Sequence, residues 1–139
     1  ETAEDGGVFL GCRDGYVRRF KDTAINDDGS AFSGGSYVMY GPVALGDRYR
    51  DGMVREIGGT MGRDSGPVTL SVHAGGNAEE AFYSASFASQ TLVSGDNFRT
   101  HPRARGSAFM LKVTGTANRP WGIESLLAVR LPLGVDRKA

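Results

Sequence analysis

The chain holds few residues from which catalytic or metal chemistry is built. His73 and His101 are its two histidines, and neither has a second ligand at metal spacing such as His-x-x-x-His or Cys-x-x-Cys. His73 falls on the polar side of an alternating segment and is expected at the surface. His101 stands beside Pro102 and is expected in a loop. Cys12 is the single cysteine, so an internal disulfide is excluded. It lies in an apolar run, as a packing thiol does, and fits a reducing compartment. Nucleophilic catalysis has no support either. There is no Gly-x-Ser-x-Gly elbow, and Ser107, between Gly106 and Ala108, has no evident partner. Glu56 and Glu124 both fall inside predicted strands. Acting as a glycosidase pair they would need a set separation in one cleft. Pairing with arginines such as Arg55 or Arg130 is the simpler reading. Asn26-Asp27-Asp28-Gly29 offers some oxygen ligands of a calcium loop but lacks the alternation and the distal glutamate, and reads as a turn. These residues predict no enzyme, no cofactor and no bound metal.

What remains is charge. Arg99, His101, Arg103 and Arg105 form a basic cluster with Phe98 in front of it. One reading is phosphate contact, with Phe98 as a stacking ring. The other is a solvated loop or a contact with an acidic patch on a neighbouring subunit. Sixteen basic and sixteen acidic residues leave a formal net charge of zero. A surface that grips a polyphosphate broadly carries a basic excess. Direct nucleic-acid contact is therefore not expected, and the cluster is a candidate protein interface. The charged turn containing Asp47, Arg48 and Tyr49 is a second candidate, together with whichever of Tyr37 and Tyr40 faces outward.

The elements that must position these residues read as strands. At 139 residues with 40% apolar content, the chain is long enough for one cored domain. Its 21 glycines are about twice the average usage and show no collagen-like period, which fits a chain of many tight turns. Gly7 to Phe20 reads as a hairpin turning at Arg13-Asp14-Gly15, with Val8, Leu10 and Cys12 on one face. Lys21 to Gly35 reads as a loop. Ser36 to Tyr40 is a strand stopped by Gly41-Pro42, with Val43 to Leu45 as a continuation after a bend. Met53 to Ile57 is a short strand, and Gly58 to Gly66 is a turn cluster. In Pro67 to His73, Val68, Leu70 and Val72 face one way, and Thr69, Ser71 and His73 the other. Asn77 to Tyr83 is either a short helix capped by Asn77 or an irregular strand edge. Phe87 to Val93 is a weak strand, and Gly95 to Gly106 a polar connector.

The strongest pattern comes last. Ser107 to Thr114 alternates with Phe109, Leu111 and Val113 on one face. Trp121 to Leu131 alternates with Trp121, Ile123, Leu127 and Val129 on one face. The connector between them is rich in Gly, Thr, Asn and Pro, so the two predict an antiparallel hairpin whose facing residues form the core. Trp121 is expected to pack against that core and not to stand free as a ligand platform. Counted together, the segments predict an all-β fold: an antiparallel β-sandwich or jelly-roll-like domain of seven to eight strands with at most one short helix. The expected organisation is a single β-domain. Residues 1–35 supply a hairpin and long loop, 36–134 the sandwich and 135–139 a frayed tail. No stretch approaches the length of a membrane-spanning helix, and membrane association is not expected. The chain opens on Glu1 without a basic-then-apolar leader and reads as processed, trimmed or cut from a longer protein.

The C-terminal pattern is also similar to a known family. Arg105-Gly106 leads into a strand, and Trp121-Gly122-Ile123-Glu124 opens another that ends in Gly134 and Arg137. This resembles the C-terminal β-domains of tailed-bacteriophage virion proteins of the packaged-DNA-stabilisation or tail-nozzle type. Gly7 to Phe20 resembles a propeller-blade hairpin of that family, and Tyr37 to Pro42 a short module between such parts. The chain departs from the pattern in being too small to hold a propeller. The resemblance implies a structural subunit of the tail or head–tail junction. Its partners would be other virion proteins and copies of itself in a ring, and it would be assembled in the host cytoplasm. It implies no catalytic residues. The alternative from the residues is a carbohydrate- or receptor-binding sandwich using Trp121, Tyr37, Tyr40 or Tyr83 as an exposed aromatic platform.

Overall fold

The computed structural model describes residues 9–11, 13, 15, 17–19, 26–27, 30–31, 36–46, 50–116 and 119–136. In chain order the elements begin with β1 (Phe9–Gly11), β2 (Val17–Arg19), β3 (Asn26–Asp27), β4 (Ser30–Ala31), β5 (Tyr37–Ala44) and β6 (Arg50–Met61). There follow β7 (Val68–Gly75), α1 (Ala78–Tyr83), β8 (Ala88–Leu92), β9 (Gly95–Asp96), β10 (Ala104–Gly106), β11 (Ala108–Gly115) and β12 (Ile123–Asp136). Among the described residues the chain is all-β with one short helix, as its alternating segments predict.

The expected N-terminal hairpin is present. Phe9 lies opposite Arg19 and Gly11 opposite Val17, with Gly15 at a positive φ of 87° in the turn. Cys12 and Asp14 lie outside the described residues. The predicted loop after this hairpin contains a second small ladder, β3 with β4. The Asp28-Gly29 pair between them, a dipeptide that favours two-residue hairpins, is also outside the described residues.

Two four-stranded antiparallel sheets make the sandwich. One has the order β5-β11-β7-β8. The other has the order β10-β6-β12, with β9 bridged to β6. The predicted terminal hairpin does not form. β11 is flanked on both sides, by β5 and β7, so no edge is left for β12, which pairs with β6 in the opposite sheet. The connector after β11 therefore crosses the sandwich. Trp121 anchors that crossing: its ring lies on Gly115, where an added Cβ would stand 2.1 Å from Nε1. The indole N–H donates to Ser36 Oγ at 2.8 Å. Backbone bonds from Gly66 N–H to Pro120 O and from Gly62 N–H to Gly122 O tie the same segment to the β6–β7 turn.

The core face of β11 is as predicted, with Phe109, Leu111 and Val113 buried. Against them stand Val68, Leu70 and Val72 of β7 and Val54, Ile57 and Met61 of β6. Trp121 and Ile123 pack on this core, as expected. Leu127 and Val129 do not; Leu126 and Ala128 take their place. Ile123 is opposite Met61 but Ser125 is opposite Thr60, so β12 carries an extra residue there. A one-residue bulge exchanges the two faces of everything beyond it.

β6 also differs from expectation. It runs on through Gly58 and Gly59, which the sequence reads as the start of a turn. Gly59 is a site of close approach, where a Cβ would lie 2.8 Å from Ser125 O. β5 likewise continues through the cis Gly41–Pro42 bond, with a register shift against β11 at that point. At the other end, β12 extends to Asp136, beyond the predicted start of the tail.

α1 covers the outer face of the β11–β7 region. Asn77 Oδ1 accepts the Glu80 N–H at 2.8 Å, the predicted cap. Six residues are too few for an independent helix. This one is held by Ala81, which is fully buried over Ala108 and Met110 with Met39 alongside. The Gly115–Trp121 contact is open to a direct test. Gly115→Ala should shift the emission of the single tryptophan to the red and lower stability by about 1–3 kcal/mol in a denaturant melt.

Candidate functional site

The basic residues do not sit in a connector. Residues 95–106 run beside β6 as an irregular third strand. Thr60 pairs with Asp96, backed by a 2.7 Å bond from Thr60 Oγ1 to Asp96 Oδ1. Ile57 and Thr100 exchange backbone bonds of 2.9 Å in both directions, and Ala104 pairs with Val54. Arg99, His101, Arg103 and Arg105 are alternate residues of this strand, and all four are exposed. Ala104 and Gly106, between and beyond the last two, are buried. The two-residue period of Arg-x-His-x-Arg-x-Arg is a strand signature, and it was the available signal.

The structure adds residues that the sequence does not mark. Arg105 lies opposite Met53, and Met53 opposite Leu131, so the three form one cross-strand row on the outer face of this sheet. With Arg55, His101 and Arg103 they line an open pocket of about 300 Å3. Arg55 shares this face as the residue two beyond Met53, and a bulge brings Glu56 to it as well: Val129 is opposite Glu56, but the next residue, Arg130, is opposite Val54.

Charge in the pocket is unevenly matched. The largely buried carboxylate of Glu56 accepts a 3.2 Å bond from Arg99 Nη1. It also lies 3.6 Å from Arg55 Nε and 3.7 Å from His101 Nε2. The expected pairing of Glu56 with an arginine is therefore found, and it gathers Arg55, Arg99 and His101 around one acid. The side chains of Arg103 and Arg105 have no hydrogen bond or ion pair among the described residues. Arg103 also has a φ of 51°, in the left-handed region that residues with a Cβ seldom occupy.

The other candidates are dispersed. Asp47, Arg48 and Tyr49 lie outside the described residues. Tyr37 and Tyr40 are both exposed, on opposite faces of β5, and Tyr37 carries Lys112 Nζ at 4.6 Å from its ring centroid. Trp121 is half-buried and hydrogen-bonded, so it is withdrawn from any exposed aromatic platform. Phe98, at 95% exposure, stacks on nothing here.

His73 is not the free surface residue that its strand pattern predicts. α1 folds over that face, and His73 Nδ1 donates to the carbonyl of Ser84 at 2.8 Å, with Nε2 buried and unpaired. His73 in β7, Glu56 in the middle of β6 and Glu124 near the start of β12 do not converge on one cleft. Arg130, the proposed partner of a strand glutamate, instead donates to Ala44 O at 2.7 Å and so links the two sheets. Among the described residues no three His, Cys, Asp or Glu side chains form a potential metal group, and no helix is long and apolar enough to cross a membrane.

No known protein family, curated protein or solved structure matches this chain.

The uneven charge gives a measurable consequence. Ion pairs with exposed partners contribute little individually, but Glu56 is the shared partner of two arginines and lies beside His101. Glu56→Gln should lower stability by about 1 kcal/mol at low salt. Added sodium chloride should recover part of that loss by screening the guanidinium groups from one another. Chemical denaturation with urea at low and high salt measures both effects.

Proposed function

We propose that this chain is a non-catalytic structural subunit that works by assembling with copies of itself, and that its assembly edge is β5. One observation carries the reading. β5 is an edge strand eight residues long, exposed along nearly all its length, and Tyr37, Val38, Tyr40 and Val43 are exposed on it. An edge strand leaves a row of backbone donors and acceptors free to pair with another chain. Native edges are commonly blocked by charge, and β5 has no charged residue. Pro42 interrupts its far half, which leaves Tyr37 to Tyr40 as the pairing stretch.

Strand direction makes the contact repeatable. β5, β11, β7 and β8 alternate, so the edges β5 and β8 run antiparallel to each other. Head-to-tail addition sets β8 of one copy against β5 of the next as an antiparallel pair. A heterologous contact of this kind closes into a ring when its rotation permits. The biological setting we propose, the tail or head–tail junction of a tailed phage with other virion proteins as partners, rests on the resemblance of the C-terminal segments to such proteins.

Light scattering of the purified chain, alone and mixed with neighbouring tail proteins, tests the reading. The expected result is a discrete oligomer that Val38→Lys reduces to a monomer without loss of strand signal in circular dichroism. A strict monomer that joins no particle, or an oligomer of unchanged mass in Val38→Lys, would overturn it.

A further inference from the structure

We infer that the pocket on the outer face of the β10-β6-β12 sheet binds an oxyanion, a carboxylate or phosphate monoester, carried on a short apolar body. The inference is independent of the β5 edge, which belongs to the other sheet. Its first ground is the pair Arg103 and Arg105. Both line the pocket, and neither has a partner among the described residues. A guanidinium presents a planar fork of donors that matches a carboxylate or phosphate two bonds at a time. Arg55 and His101 stand on the same wall but share Glu56, which holds them at 3.6 Å and 3.7 Å. The pocket therefore has two groups engaged by Glu56, Arg55 and His101, that shape it, and two arginines without a partner among the described residues that are available to a ligand.

The second ground is the floor. In the row Arg105, Met53, Leu131, one end is cationic and the next two positions are apolar. An inorganic ion would use only the first. A ligand with its acid group on Arg103 and Arg105 and a ring or short chain across Met53 and Leu131 would use all three. The volume of about 300 Å3 is at the small end of ligand pockets, which limits the occupant to one acid group and one ring or a few methylenes. A polyanion fits poorly, because Glu56 already places a carboxylate in the cluster and the chain has no basic excess.

The third ground is the backbone at Arg103. Its left-handed φ follows Pro102 directly and precedes the first pair of β10, Ala104 with Val54. Conformations of this kind in residues other than glycine cluster at ligand sites and persist where the surroundings enforce them. Here the conformation coincides with a pocket-lining arginine whose side chain has no partner among the described residues. This also supplies a clean variant, since glycine adopts the same φ without a steric cost.

The test uses the full chain and two probes, phenyl phosphate and 4-phenylbutyrate, with inorganic phosphate as the control. Binding is followed by the methyl resonance of Met53 in carbon-resolved NMR. The expected result is saturable movement of that resonance by at least one organic probe, at an affinity roughly tenfold above that for inorganic phosphate. The tighter probe identifies the head group. Arg103→Gly and Arg105→Gln should each weaken binding roughly tenfold while the remaining spectrum shows the native dispersion. Equal affinity for inorganic phosphate overturns the apolar half of the proposal. Absence of saturable binding by both organic probes, or binding unchanged in the two variants, overturns the site.

Discussion

β11 is confined from both sides, and most of the fold follows from that. Its odd residues Phe109, Leu111 and Val113 are pressed against the other sheet, while Ala108 and Met110 lie under Ala81 of α1. Its edges are also taken, by β5 and β7. With both edges taken, its inner face in the core and the first half of its outer face under α1, the strand is buried almost continuously from Ala108 to Val113, and Lys112 and Thr114 alone are half-buried. Each neighbour is then constrained. The connector that leaves it has to cross to the other sheet, and Trp121 settles against Gly115 to make that crossing compact. α1, too short to persist alone, exists because it completes the cover over Met110.

The second sheet is organised by a different balance. β6 is its axis, with β12 along one side and the irregular segment through β9, Thr100 and β10 along the other. Its inner face is apolar and fully buried at Val54, Ile57 and Met61. Its outer face collects guanidinium groups around the single carboxylate of Glu56. Concentrating like charge there opposes folding slightly, and among the described residues Arg103 and Arg105 have no hydrogen-bond partner for their side chains. The two sheets thus have distinct exposed features: an uncharged edge, unpaired among the described residues, on one, and an arginine-lined pocket with an apolar floor on the other.

Legibility in the sequence followed the range of the interaction. Val68, Leu70 and Val72 against Thr69, Ser71 and His73 is a local period-two pattern, and it held residue by residue for the apolar side. Asn77 with Glu79 and Glu80 is a local cap signal, and the helix starts where it predicts. Readings failed where a distant segment intervened. His73 is polar-faced by pattern but is covered by α1, which begins only after the strand has ended. Gly58 and Gly59 have the composition of a turn, yet they extend β6, and at Gly59 it is Ser125 and Leu126 of β12 that approach too closely for a side chain. Leu127 and Val129 changed places with Leu126 and Ala128 through one bulge. In the candidate site, the spacing of Arg99, His101, Arg103 and Arg105 was visible. Met53, Arg55 and Leu131 were not, because a cross-strand row leaves no trace in either strand alone.

The sequence by itself determined the class of fold, the core face of β11, the cap at Asn77 and the overall balance of charge. These are set by side-chain periodicity and composition, which act over a few residues. Tertiary structure alone decided that the two C-terminal strands belong to different sheets, that β5 is an edge among the described strands, and that the arginines meet Met53 and Leu131 around a pocket. Those outcomes depend on which strand edges remain unpaired once the others have formed. That is a property of the assembled sheets, and no segment carries it in its own pattern.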